Sequence, residues 1–253
     1  MSTLRANTFH RHRQEPASWS QRGLRGFTLF ELLIVVAIMA VLAGAVVVAL
    51  DQTHEQAASQ LVDSEMLNIK KALLRFKQDT GYLPRQGPFG LTTDTPPGAV
   101  PVPVQGAAWF HSPANFVQLY ENPLEGTGHP LEQWNPDTAR GWRGPYLSQH
   151  GEGYVDIGNN LQSDGTGSPI AGTLLQDVRG VADPFYHSPV GPYLSWQTAL
   201  TGPSLPRWGR PYLLFDLDDP SKARIVSMGS NGVYESNNAL TPGGDDVFLF
   251  ILR

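Results

Sequence analysis

Phe27 to Leu50 reads FTLFELLIVVAIMAVLAGAVVVAL, an apolar run with one charge, Glu31. A helix over these 24 residues extends roughly 36 Å at 1.5 Å per residue, enough to cross a bilayer core of about 30 Å with some tilt. On its N-terminal side stand Arg5, Arg11, Arg13, Arg22 and Arg25 against Glu15 alone, a net charge of +4. The positive-inside rule therefore leaves residues 1–26 in the cytoplasm and sends the chain after Leu50 outward. A cleaved secretory signal has an apolar core of only about 7–15 residues followed by a small-residue cleavage site. This run is longer, and a helical pattern continues beyond it.

Glu31 needs an explanation, because a carboxylate near a helix end in lipid must be neutralised, paired or held at the interface. One reading is a plain anchor with Glu31 at the headgroup level. A second comes from its neighbours. Arg25-Gly26-Phe27-Thr28-Leu29-Phe30-Glu31-Leu32-Leu33 resembles the prepilin motif of type IV pilins and type II secretion pseudopilins: a basic leader, a Gly, an aromatic residue, and a Glu five positions into the mature chain before an apolar span. The resemblance implies that a prepilin peptidase of the bacterial inner membrane cuts after Gly26 and methylates the new amino group of Phe27. It also implies that Glu31 pairs with the Phe27 ammonium of a neighbouring subunit in a filament.

Asp51 to Asp79 contains no Pro or Gly, and Val62, Met66, Ile69, Leu73 and Phe76 recur at spacings of 4, 3, 4 and 3. That pattern is one helical face, with Asp63, Lys70, Lys71 and Lys77 falling largely away from it, and Gly81 and Pro84 supply a stop. The spacing predicts one helix from about Phe27 to about Thr80, on the order of 80 Å long. Its outer half, 51–80, has a stripe to bury.

The remainder must supply the partner for that stripe. The chain has 253 residues, 41% hydrophobic and 16% charged, with 26 Gly and 21 Pro. This balance is globular and rich in turns. Residues 86–108 read as an irregular loop, and 109–210 offer only short strand-like runs such as Tyr154-Val155-Asp156-Ile157. Beyond them, Tyr212 to Leu217, Ala223 to Met228 and Asp246 to Leu252 read as strands, with a turn at Asp218-Asp219-Pro220-Ser221. An antiparallel sheet packed on the long helix gives an α+β fold.

Several pieces of the body resemble the major pseudopilin of type II secretion, in the same order. Asp79-Thr80-Gly81-Tyr82-Leu83-Pro84 follows the helix, Trp142-Arg143-Gly144-Pro145-Tyr146-Leu147 lies mid-chain, and Trp208-Gly209-Arg210-Pro211-Tyr212 opens the sheet. Ser227-Met228-Gly229-Ser230-Asn231-Gly232 with Gly243-Gly244-Asp245-Asp246 then matches a calcium loop. The resemblance implies a type IV pilin-like fold divided as a cleaved leader (1–26), a membrane helix (27–50), its periplasmic half (51–80) and a globular domain (81–253) with insertions at about 86–140 and 148–206. It implies a subunit of a periplasmic filament that drives protein export, partnered by copies of itself, minor pseudopilins, the prepilin peptidase and an inner-membrane assembly platform. A type IV pilus subunit with a role in adhesion or DNA uptake is the alternative. Structural calcium would be held by Asn231, Asp245 and Asp246, since Ca²⁺ takes six to eight oxygen ligands. The residues alone also permit a solvated acidic turn, because Asn-Gly and Gly-Gly-Asp-Asp are ordinary turn chemistry.

Catalytic signatures are missing from the sequence. There is no Cys, no His-Glu-x-x-His, no Gly-x-Ser-x-Gly and no Walker loop, so the expectation is a protein that is not an enzyme. Asp216, Asp218 and Asp219 are explained by solubility as well as by acid–base chemistry, and the Asp156 to Gly167 stretch reads as a surface loop. Trp109, Phe110, Trp134, Trp142 and Trp196 offer either a sugar-binding face or core packing. The body after residue 26 carries a net −9, which disfavours nucleic acid.

Overall fold

The computed structural model describes residues 27–90, 106–148, 152–168, 171–185, 193–195, 208–236 and 240–253. The long helix is α1, Leu29–Thr80. The chain divides into two compact units, Met1–Leu50 and Asp51–Arg253. In the first, α1 keeps its apolar side chains outside: Leu29 is 84% exposed and Val41 73%. Leu29–Val46 is long and apolar enough to cross a membrane, consistent with a single-pass membrane protein.

In the second unit the expected stripe is a core face. Val62, Met66, Ile69, Leu73 and Phe76 are all buried and cluster with Tyr212, Leu214, Ile225 and Ile251. The sheet they meet is antiparallel, in the order β4 (Leu213–Phe215), β5 (Arg224–Ser227), β6 (Val247–Phe250). Each strand falls inside its predicted run. Lys70 fastens the helix to it by donating from Nζ to the carbonyls of Phe250 (2.7 Å) and Arg253 (3.0 Å).

A half-exposed sheet alternates buried and open positions, yet every residue of β4 and β5 is buried. A second sheet accounts for this. β1 (Glu152–Gly158) pairs antiparallel with β2 (Leu174–Val181) and parallel with β3 (Tyr193–Ser195). Val155, Ile157, Leu175 and Val178 pack with Leu213, Phe215, Val226 and Met228, the residues of the first sheet that do not face the helix. The body is therefore layered as helix, sheet, sheet, and two-sided burial replaces the single apolar face expected for the antiparallel sheet.

The stretch 86–140 also contributes to the core through Phe89, Phe116, Leu119, Tyr120 and Leu124. Two short helices carry part of it, α2 (Gly106–His111) and α3 (Val117–Tyr120). Arg85, at φ 67°, ties the stretch down by donating to the carbonyls of Ser112 (2.8 Å) and Asn115 (2.7 Å). Burial pushes its guanidinium down to about 10. The expected turn acids divide. Asp216 forms an ion pair with buried Arg224, so it serves the interior and not solubility. Arg224 also donates to the Asp164 carbonyl at 3.2 Å, joining the two sheets' loops, while Asp219 caps Ser221 through its N–H and hydroxyl.

Candidate functional site

The N-terminal motif is built around the first turn of α1. Phe27 is 84% exposed, and Gly26 lies outside the described residues. Thr28 stands just ahead of Leu29, where α1 begins. Its backbone N–H and its hydroxyl both donate to Glu31 Oε2, each at 2.9 Å, and the Glu31 N–H donates to Thr28 Oγ1 at 3.2 Å. This reciprocal arrangement is a capping box, which satisfies orphan donors at a helix start. Within a single chain, then, Glu31 has a partner that the sequence reading assigned only to a neighbouring subunit. The spacing Thr-x-x-Glu ahead of an apolar run was the available signal.

The second constellation is the hairpin between β5 and β6. Asp245 Oδ2 accepts from Ser230 Oγ (2.9 Å) and the Asn231 N–H (2.8 Å). Asp246 Oδ2 accepts from the Glu235 N–H (2.9 Å) and Ser236 Oγ (2.6 Å). The other oxygen of each carboxylate is buried without a hydrogen-bond partner. Gly229, at φ 62°, lets the chain close on Asp245, since a Cβ there would collide with the Asp245 backbone. Burial first, and the neighbouring Asp245 charge after it, push the Asp246 carboxyl above the usual carboxylate range.

Asn231, Asp245 and Asp246 are thus brought into one loop, but they do not share one role. The Asn231 amide oxygen accepts from the Val233 N–H (2.6 Å), and its nitrogen donates to Glu235 Oε2 (2.9 Å). Among the described residues no group of three or more His, Cys, Asp or Glu side chains is placed to hold a metal. The two buried carboxylate oxygens without a hydrogen-bond partner are of the hard-oxygen kind that Ca²⁺ takes. Glu235, Ser230 and Ser236 were missed by sequence reasoning, because only the closed hairpin puts them beside Asp245 and Asp246.

The remaining candidates resolve differently. Asp164 Oδ1 is spent on the Thr166 N–H and hydroxyl, a local turn of the surface-loop kind. Trp109 and Phe110 are buried, Trp142 packs against the main core, and Trp196 lies outside the described residues.

Residues 22–47 match the model of the prokaryotic N-terminal methylation motif. That match spans the Gly26 to Phe27 junction, Glu31 and most of the apolar run. At its N-terminus the chain carries the motif found in type IV pilin-like prepilins. Such a motif implies processing by a prepilin peptidase and assembly into a filament by membrane machinery. No curated protein and no solved structure matches the chain. The α+β layout, with the buried face of α1 on an antiparallel sheet, is consistent with a type IV pilin-like fold.

Proposed function

We propose that this prepilin is a pseudopilin, a structural subunit of a type II secretion-type periplasmic filament that drives protein export. The observation that carries the reading is the methylation motif in register with Phe27 and Glu31, followed by a helix whose outer half is fixed in a folded body. A fully exposed apolar span costs free energy once it leaves lipid, and packing against the same span of other subunits offsets that cost. The leader stays in the cytoplasm, Gly26 marks the cut, Phe27 receives the methyl group, and Glu31 meets a neighbour's Phe27 ammonium. The chain works as a structural part and not as an enzyme, and the assembly platform supplies the work.

Calcium is part of the same proposal. Asp245 and Asp246 would offer their unpaired oxygens, with Asn231 and nearby carbonyls completing the coordination, and the ion would lock the hairpin between β5 and β6. Intact mass and the N-terminal peptide of protein from native membranes test the main reading. A chain beginning with N-methylated Phe27 is the expected result. An intact residue 1–26 leader in a peptidase-competent cell overturns it in favour of a plain anchor.

A further inference from the structure

Trp134, half-buried, lines an open groove of about 530 Å³ running over Gly128 to Pro136. That volume lies within the roughly 300–1,000 Å³ of small-molecule sites. The wall is held in shape by its own hydrogen bonds. Glu132 accepts the N–H groups of Gly126 (2.9 Å) and Gly128 (2.7 Å) on its two carboxylate oxygens. The Asn122 side chain donates to the Glu132 carbonyl (2.7 Å), and Trp142 N–H to that of Leu131 (2.9 Å). Arg143 stacks over the Trp134 ring, 4.7 Å from its centroid, which holds the indole in place.

The chemistry left free selects the ligand. Glu132, held by two backbone donors, and Arg143, held over the Trp134 ring, carry opposite charges, so this pair gives the groove no net sign to select an ion. His129 Nδ1 accepts from the Leu131 N–H (3.1 Å), which places the remaining ring proton on Nε2. Asn135 spends its amide oxygen on the Asp137 N–H (2.8 Å) and keeps its NH₂ group. Gln133 is exposed and keeps both donor and acceptor. An indole beside uncharged donors and acceptors suits a ligand with C–H faces and hydroxyl edges. We infer that this groove binds a neutral glycan, with Trp134 as the stacking platform and Gln133, Asn135 and His129 reading its hydroxyls. The inference rests on the groove alone and stands whether the filament belongs to a secretion or a pilus system.

The test uses the full chain in lipid nanodiscs and saturation-transfer NMR with cellotetraose, maltotetraose and chitotetraose, and a sulfated tetrasaccharide as the anionic comparison. At least one neutral sugar is expected to bind with a Kd on the order of 1 mM or tighter. Gln133→Ala and Trp134→Ala should each weaken it roughly three- to tenfold. Gln133→Ala keeps the Trp134 and Arg143 stack, so it answers the question even if Trp134→Ala disturbs the loop. No binding by any neutral sugar, preference for the sulfated one, or binding unchanged in Gln133→Ala would overturn the inference.

Discussion

The two halves of α1 obey one helical period and face opposite problems. From Leu29 to Val46 the side chains are apolar on every face apart from Glu31 in the first turn, and none of the span is buried by the rest of the chain. From Val62 to Phe76 one stripe, Val62, Met66, Ile69, Leu73 and Phe76, is at most 1% exposed, while Leu67 and Leu74 lie off it and stay open. A helix that is hydrophobic on every side needs a surrounding phase or several partners, whereas a striped one needs a single surface. The first half therefore depends on what lies outside the chain, and the second is completed within it.

The contrast predicts opposite outcomes for the same kind of truncation. Phe76→Ala should cost the body about 3–5 kcal/mol, because it empties a space between α1 and the sheet. Leu33→Ala should leave body stability within about 0.5 kcal/mol and act only on assembly. Urea unfolding of the full chain in detergent, followed by tryptophan fluorescence, measures both. Equal losses from the two variants would break the distinction between the halves.

Inside the body, the layer between the sheets carries a comparable effect on a charge. Arg224 is 1% exposed at its side chain and Asp216 is 11%, with the guanidinium carbon 5.1 Å from the rings of both Phe215 and Phe248. Asp216→Asn leaves that cation unpaired and should cost about 3–5 kcal/mol. Adding Arg224→Met should recover much of the loss, since the buried cation that had to be desolvated is then gone. A double variant less stable than Asp216→Asn alone would show that the cation–ring contacts, and not the ion pair, hold the layer.

The hairpin of Asp245 and Asp246 offers a smaller effect with a definite sign. The Asp246 carboxyl sits above the ordinary carboxylate range, so between its unfolded value, near 3.9, and its folded one the native chain binds more protons than the unfolded chain. Stability with chelator should therefore fall as pH rises through that window, and the Asp246→Asn variant should lack this component of the slope. Calcium favours the ionised pair and should flatten the fall, adding about 2.7 kcal/mol at a hundredfold excess over its Kd. Identical unfolding curves in calcium and chelator would remove the ion from the proposal.

What could be read from the sequence follows from how each element is stabilised. The stripe of α1 was legible because its 3.6-residue period runs unbroken, and the three C-terminal strands because each is a short apolar run bounded by turn residues. β2 was not, because Asp177 sits at φ 55° inside the strand. The β1–β2 register slips between Val155 and Ile157, so Leu175 and Val178 are buried three residues apart instead of two. A bulge of this kind shifts the phase of the alternation on which strand reading depends. At the sites, Gly26, Phe27 and Glu31 were legible from local order alone, whereas Glu235, Ser230 and Ser236 depend on hairpin closure across the 227–246 segment. The Thr28–Glu31 cap is equally local, since Thr-x-x-Glu ahead of an apolar run is the order a capping box requires.

This cap carries the smallest expected effect. Thr28 and Glu31 close the first turn of α1 through three hydrogen bonds, the means by which the span's end is satisfied before any subunit packs on it. Thr28→Ala removes the hydroxyl that both donates to Glu31 and accepts from its N–H. Loss of such a cap typically costs about 1 kcal/mol, and it should appear as faster amide exchange over the first turn of α1, with exchange in the 62–76 stripe unchanged. Thr28→Ser keeps the hydroxyl and should restore protection. If Thr28→Ala left the first turn as protected as in the parent chain, the end of the span would be held by something other than its cap. The first half of α1 would then depend on what lies outside the chain even at its end, and the contrast between the two halves would be sharper still.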